Sequence, residues 1–401
     1  MKYLKKHKKL IVFLLVSIFV LLVYDLFNAV EKRGAVTATR NFPRFYRSLL
    51  LIILIWYNIY SVRVKGVGFN KYFTLLYAIV IFNLFFDSFL EINSLVNVSK
   101  MLLLIFGYFF FYKFYFVFEN EHAMKWLNRI VYLSVVILSS HIIASRFNLL
   151  GGEILSKISG NNNAYVLLSF LPLIYLNTNK KQQKMLFFML IIGVLMAIKR
   201  GAIVAMFVCF IVSFFMDRRV QIKKKPFYGL KRFFIIVFSI TFLGVIYSKN
   251  ADLFQERMED LSDSKSFGSG RGNVYSLIWD DWVNSNSYKT YLIGDGYNSV
   301  QKLTKRHIGA ALMAHSDFLT ILHSFGILGI SIWLAFLGSQ IKIVRFFYRK
   351  RHPLLIPCLC LFIIYFFKSI YSANIEQPAF IYLLIGFGVI NANYARLKYV
   401  V

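Results

Sequence analysis

Three short segments of the chain combine cationic or titratable side chains with small neighbours. They are Lys199-Arg200-Gly201-Ala202, Ser269-Gly270-Arg271 and Ala314-His315-Ser316-Asp317. A guanidinium group is always charged and binds anionic oxygens through paired hydrogen bonds, and an imidazole can accept a proton near neutral pH. These residue types suit anion binding combined with proton transfer. The ordinary alternatives are an arginine that only extends its head group to solvent and a histidine that only bonds a nearby carbonyl.

The elements that must position these residues are strongly apolar. The chain has 401 residues, of which 58% are hydrophobic and 16% charged, and its net charge is +29. Soluble domains are about 45–50% apolar and about 25% charged. The composition therefore predicts an all-α polytopic membrane protein, with residues 1–401 forming a single integral domain. The 43 Phe and 25 Tyr exclude a disordered chain.

Apolar runs divide the chain into about twelve predicted membrane spans, since a helix needs about 20 residues to cross a bilayer. The predicted spans are Leu10–Val30, Ser48–Val62, Tyr72–Leu90, Met101–Phe118, Ile130–Leu149, Ala164–Leu176, Met185–Ile198, Ala202–Met216, Phe233–Tyr247, Phe318–Leu337, Leu354–Ile370 and Ala379–Ile390. One large loop, Ser248–Asp317, separates the ninth span from the tenth. Loops of this length are usually functional.

Lysine and arginine are concentrated in alternate loops, which predicts the orientation by the positive-inside rule. Both termini are expected in the cytoplasm, and the loop 248–317 is expected outside. Most of the net charge therefore serves orientation and attraction to anionic lipids. Nucleic-acid binding is not predicted, because no soluble basic face with interleaved aromatic residues is present.

The large loop contains three further local signals. An amphipathic run that opens at Arg271 and includes Trp279 and Trp282 predicts a helix at the membrane interface. Gly294-Asp295-Gly296 predicts a turn, and Ser316 or Asp317 is expected to cap the helix of the tenth span.

Taken in order, these segments resemble the O-antigen ligase and polysaccharide polymerase (Wzy-type) superfamily of bacterial membrane glycosyltransferases. The resemblance extends from about Ser159 to Leu337 and also includes Ser159-Gly160-Asn161-Asn162-Asn163 and Phe325-Gly326-Ile327-Leu328-Gly329. Outside this region only the topology is similar. The chain departs from the family at two positions, since Lys199 stands where the family often has Ser and Ser316 where it often has Asn.

The resemblance implies transfer of a glycan from a polyprenyl-diphosphate carrier to an acceptor hydroxyl. It implies that Arg200 and Arg271 bind the diphosphate, with Lys199 as a third cation, and that His315 is the general base. Metal ligands and cofactors are not expected. Further candidates for substrate contact are Asp317, Lys368 and Asn163.

Other residues offer weaker or competing interpretations. Asp280 and Asp281 are a rival base or metal-ligand pair, but consecutive helical residues point about 100° apart, so a solvated helix face is favoured. His323, on the same helix face as Ser316, is a secondary candidate. Gly326 and Gly329 are expected to permit close helix packing.

The function expected from the sequence is a polymerase that joins lipid-linked oligosaccharide repeats into a surface polysaccharide at the bacterial inner membrane. Its expected partners are the lipid-linked donor, the glycan acceptor and the bilayer, together with flippase and chain-length regulator proteins. The alternatives are a ligase that moves the finished glycan to lipid A–core or another acceptor, a flippase or transporter of lipid-linked sugars, and a scaffolding membrane protein. The long outer loop and the absence of an internal repeat favour the enzyme.

Overall fold

The computed structural model of the protein describes residues 16–17, 19–20, 41–60, 71–88, 92–117, 120–147, 163–177, 179–220, 271–372, 374 and 380–399. These residues form helices and connecting turns, with no β-strand among them, which confirms the predicted all-α class. The predicted ninth span, and all but four residues of the first, lie outside the described residues.

The helices follow the apolar runs closely. In chain order they are α1 (Asn41–Tyr60), α2 (Lys71–Ser88), α3 (Ile92–Val117), α4 (Asn120–Arg146), α5 (Leu171–Tyr175), α6 (Lys180–Met196), α7 (Arg200–Val220), α8 (Arg271–Val283), α9 (Tyr288–Ile293), α10 (Ser299–Ile308), α11 (Asp317–Arg349), α12 (Leu355–Tyr371) and α13 (Ile381–Tyr399). Helix α5 ends the apolar helical segment Asn163–Tyr175.

Helix length bears on the predicted membrane spans only in part. Within the described residues, Lys125–Arg146 of α4 and the whole of α11 are long and apolar enough to cross a membrane. The shorter apolar helices are Tyr46–Ile59, Lys71–Leu84, Asn163–Tyr175, Arg200–Met216 and Leu355–Tyr371. The helix lengths thus do not confirm the prediction of about twelve membrane spans.

The chain forms two compact units, and the first consists of Met1–Val212, Ser331–Lys368 and Asn374–Val401. In this unit α3 packs against α1, α2 and α13, and α4 packs against α5 and α6. Gly388 allows the close approach of α13 to α3, because a Cβ there would lie 2.6 Å from the Cβ of Phe111. Nearby, the buried Asn391 amide donates a hydrogen bond of 2.8 Å to the Tyr108 hydroxyl.

The second unit consists of Ser213–Ile330 and Ser369–Ala373. Its described part has short helices and a small apolar core in which α8 packs against α10. Val274 and Ile278, one helical turn apart on α8, are buried with Val300 and Leu303 of α10. The helix predicted at Arg271 is therefore confirmed, whereas its position at a membrane interface stays a prediction.

Two backbone segments cross in direct contact within this second unit. The amide of Asp295 donates to the carbonyl of His323, and the amide of Gly296 donates to the carbonyl of Ser324, each at 3.0 Å. A Cβ on Gly294, which has φ +75°, would lie 2.3 Å from the Ser324 carbonyl carbon. Only glycine fits this crossing.

Gly326 interrupts α11 at the same crossing, with φ 61° and ψ −158°. A Cβ there would lie 2.6 Å from the Leu292 carbonyl, so the predicted close approach at Gly326 is confirmed. This close approach arises because the helix is broken at Gly326, however, and not because a continuous helix packs there against a neighbour. Gly329 lies beyond the break, and a Cβ there would lie 2.5 Å from the Cβ of Phe325 in the helical segment before it.

Candidate functional site

The turn that carries Lys199 and Arg200 belongs to the first unit and is held by another arginine. The guanidinium group of Arg146, at the end of α4, donates hydrogen bonds to the carbonyls of Met196 at 2.5 Å and Ala197 at 2.8 Å. The last carbonyls of a helix lack intrahelical partners and favour a cation. Arg146 thereby fixes the end of α6, and Arg200 begins α7 four residues beyond it.

Arg271 belongs to the second unit and is the first described residue of α8. One of its η nitrogens donates a hydrogen bond of 2.8 Å to the Tyr371 carbonyl. Tyr275, one turn along α8, is half-buried, and this burial raises the pKa of its hydroxyl, although the positive charge of Arg271 opposes the shift. Arg271 is half-buried as well.

His315 lies in the second unit, directly before α11. Its φ of 53° places it in the left-handed region, which few non-glycine residues adopt and which is concentrated at functional sites. Ser316 caps α11, because its hydroxyl accepts a hydrogen bond of 3.5 Å from the Leu319 amide and its carbonyl accepts one of 2.8 Å from Thr320 Oγ1. The predicted cap is confirmed, and Asp317 is fully buried as the first residue of the helix.

The two remaining predicted contacts belong to the first unit. Lys368 is buried in α12, at 2% exposure. Asn163 is also buried, and its amide nitrogen has no hydrogen-bond partner among the described residues. The predicted residues therefore divide between the units: Lys199, Arg200, Asn163 and Lys368 in the first, Arg271, His315 and Asp317 in the second.

A polar cluster in the second unit brings together residues that sequence reasoning kept apart. His323 Nε2 lies 2.9 Å from Asp281 Oδ2, and His323 Nδ1 lies 2.8 Å from the Ser299 hydroxyl. The Ser299 hydroxyl in turn lies 3.1 Å from the Ser324 hydroxyl. Of the rival acidic pair, it is Asp281 and not Asp280 that makes this contact.

Asp295, from the Gly-Asp-Gly turn, completes the cluster. Thr290 Oγ1 donates a hydrogen bond of 2.7 Å to Asp295 Oδ1. One ligand atom each from Asp281, Asp295 and His323 lies within 4.8 Å of the other two. The turn predicted at Gly294-Asp295-Gly296 is therefore confirmed, and it places the Asp295 carboxylate near the buried imidazole of His323.

No family model matches the chain, and no curated protein matches it either. The resemblance of its motifs to the Wzy-type superfamily stays an expectation, and the functional proposal depends on the residues themselves.

Proposed function

We propose that this protein is a polytopic glycosyltransferase of the bacterial inner membrane, which polymerises polyprenyl-diphosphate-linked oligosaccharide repeats into a surface polysaccharide. One observation carries the proposal. Arg200, predicted to bind the diphosphate, is the first residue of the 21-residue helix α7, and Arg271, the second predicted diphosphate ligand, donates a hydrogen bond to the Tyr371 carbonyl. A helix N-terminus offers unpaired backbone amides and the positive end of the helix dipole.

This placement suits an anionic leaving group. As the bond between the anomeric carbon and the phosphate oxygen breaks, negative charge grows on the polyprenyl diphosphate. Arg200 and Arg271 stabilise that charge through paired N–H donors, which match the oxygens of a phosphate group. The carbonyl of Tyr371 accepts a hydrogen bond from one η nitrogen of Arg271, and a guanidinium group has five N–H donors in total.

His315 is the general base in this proposal. It removes the proton from the acceptor hydroxyl as that oxygen forms the new bond to the anomeric carbon, and the diphosphate leaves with the bonding electrons. Its partial exposure suits contact with a substrate, and its left-handed backbone marks a constrained position. Asp317, two residues away, is buried at the start of α11 and serves as an orienting neighbour.

The membrane assignment is supported by the two long apolar helices, by five shorter ones and by the charge pattern of the loops. Single cysteines test it in a background without the three native cysteines. Ser276→Cys on α8 and Lys350→Cys after α11 both replace exposed residues. An impermeant maleimide should label Ser276→Cys in intact cells, and Lys350→Cys only after permeabilisation. The reverse pattern would contradict the orientation.

The activity is tested with purified protein in detergent and a synthetic lipid-linked repeat unit. Chain growth is expected, and it should persist in EDTA at a temperature well below thermal unfolding. Abolition by EDTA at that temperature would overturn the metal-independent mechanism.

The polymerase is distinguished from the ligase in cells that lack the gene. Single lipid-linked repeats in those cells would support the polymerase. Long unattached chains would refute it in favour of the ligase.

A further inference from the structure

The cluster of Asp281, Asp295 and His323 joins three separate elements of the second unit. Asp281 lies in α8, Asp295 follows α9, and His323 lies in α11. Two carboxylates and one imidazole form a ligand set typical of zinc and related cations. Around such a cation, tetrahedral ligand atoms lie roughly 3.4 Å apart, so atoms already within 4.8 Å need only small side-chain rotations.

The burial of the three ligands suits a cation that enters from solvent. The His323 side chain is 3% exposed, whereas that of Asp281 is 40% exposed. The imidazole is therefore fixed inside the unit, and the carboxylates form its open side. Two carboxylates held this close repel each other, and a cation between them removes the repulsion.

Ligands of metal sites are usually held in place by hydrogen bonds to neighbouring groups. His323 and Asp295 both have such hydrogen bonds. A cation at Nε2 of His323 requires the proton on Nδ1, which then donates to the Ser299 hydroxyl at 2.8 Å. The Ser299 hydroxyl can in turn donate a hydrogen bond to the Ser324 hydroxyl, 3.1 Å away, because a hydroxyl group both donates and accepts.

Asp295 is anchored twice. Its carboxylate accepts the Thr290 hydroxyl at 2.7 Å, and its amide donates to the carbonyl of His323 at 3.0 Å. Two of the three ligands are thus joined through the backbone and cannot separate without opening the crossing at Gly294.

We propose that Asp281, Asp295 and His323 bind one divalent cation of the zinc class, which clips α8 to the crossing of the Gly294-Asp295-Gly296 turn with α11. The fourth position of the cation is open to water. This clip goes beyond the proposed transfer reaction and takes no part in it. The rival explanation is a direct pair of His323 Nε2 with the Asp281 carboxylate, which needs no metal.

Metal binding is measured on the full-length protein in detergent, stripped with EDTA and dialysed, by calorimetric titration with Zn²⁺. One equivalent is expected for the wild type. Asp281→Asn should weaken binding by more than about 100-fold, and Ser299→Ala by about 10-fold through loss of the outer anchor. The matched control is Asp280→Asn, which removes the same charge from the adjacent exposed residue of α8 and should bind as the wild type does.

Thermal unfolding supplies the second readout, and it does not depend on any transferase activity. Zn²⁺ should raise the Tm of the wild type and of Asp280→Asn, and leave that of Asp281→Asn unchanged. Equal Zn²⁺ affinities of Asp280→Asn and Asp281→Asn would overturn the proposal. A wild-type Tm that does not change when Zn²⁺ is added would overturn it as well. If Asp281→Asn lowers the Tm equally with and without Zn²⁺, the cluster is an ion pair only.

Discussion

The two units hold their cationic residues by different means. In the first, Arg200 follows the end of α6, and a side chain from α4, that of Arg146, binds the last carbonyls of α6. In the second, a small core joins α8 to α10. Main-chain hydrogen bonds and a glycine crossing hold the turn around Asp295 against the segment of α11 that carries His323. A side chain thus holds the turn before Arg200 in the first unit, and close backbone contact holds the turn around Asp295 in the second.

If the second unit depends on the crossing of its two backbone segments, a side chain added at that crossing should have the largest effect on stability. We expect Gly294→Ala to destabilise the unit by about 3 kcal/mol or more, because the new Cβ would overlap the backbone of Ser324 and the residue would also keep an unfavourable positive φ. The Tm of the purified protein measures the change.

Gly309→Ala is the matched control for this substitution. Gly309 also has a positive φ, +78°, but a Cβ there would meet nothing within 4 Å. Only the backbone strain is added, which costs about 1 kcal/mol. Equal losses of stability in the two variants would show that the crossing is not needed.

The first unit should respond instead to loss of a side chain. Arg146→Met removes the charged donors from the carbonyls of Met196 and Ala197 while keeping most of the apolar stem. We expect a loss of about 2 kcal/mol, in the range for charged hydrogen bonds, together with a lower affinity for the diphosphate donor at Arg200. Thermal unfolding and donor binding are the measurements.

Arg129→Met serves as the control on the same helix. Arg129 is exposed and lies over the Trp126 ring at 4.9 Å, so its removal should cost about 0.5 kcal/mol. Donor affinity equal to that of the wild type in Arg146→Met would contradict the positioning role of Arg146.

The smallest expected effect is a pH dependence that arises from Tyr275 in the second unit. Burial raises the pKa of Tyr275 above its usual value near 10. Above that pH the unfolded chain loses this proton while the native protein keeps it, so stability falls as the pH rises. Tyr275→Phe should show a shallower loss of Tm between pH 9 and 11 than the wild type. Parallel losses would show that Tyr275 does not contribute.

The helices could be predicted from sequence because they follow local apolar runs. The predicted span Leu354–Ile370 differs by one residue at each end from α12, and the cap at Ser316 follows from the residue types before α11. Helix ends that continue past the apolar run, as in α7, were predicted less well, since polar residues can extend a helix.

The missed contacts join residues that are distant in sequence. Asp281 and His323 are 42 residues apart, and Arg146 and Ala197 are 51 apart. Neither contact can be predicted from a local sequence pattern. The close approach at Gly326 was predicted, but its partner was not, because the segment that crosses it, around Leu292 and Gly294, belongs to a different element.

The central claim is that Arg200 and Arg271 bind the leaving diphosphate. The most direct measurement is the initial rate of chain growth by purified Arg271→Lys, compared with Arg306→Lys on the exposed last turn of α10. Both variants keep the positive charge and lose only the guanidinium fork. We predict a fall of about 100-fold for Arg271→Lys and no change for Arg306→Lys. Equal rates in the two variants would contradict the claim.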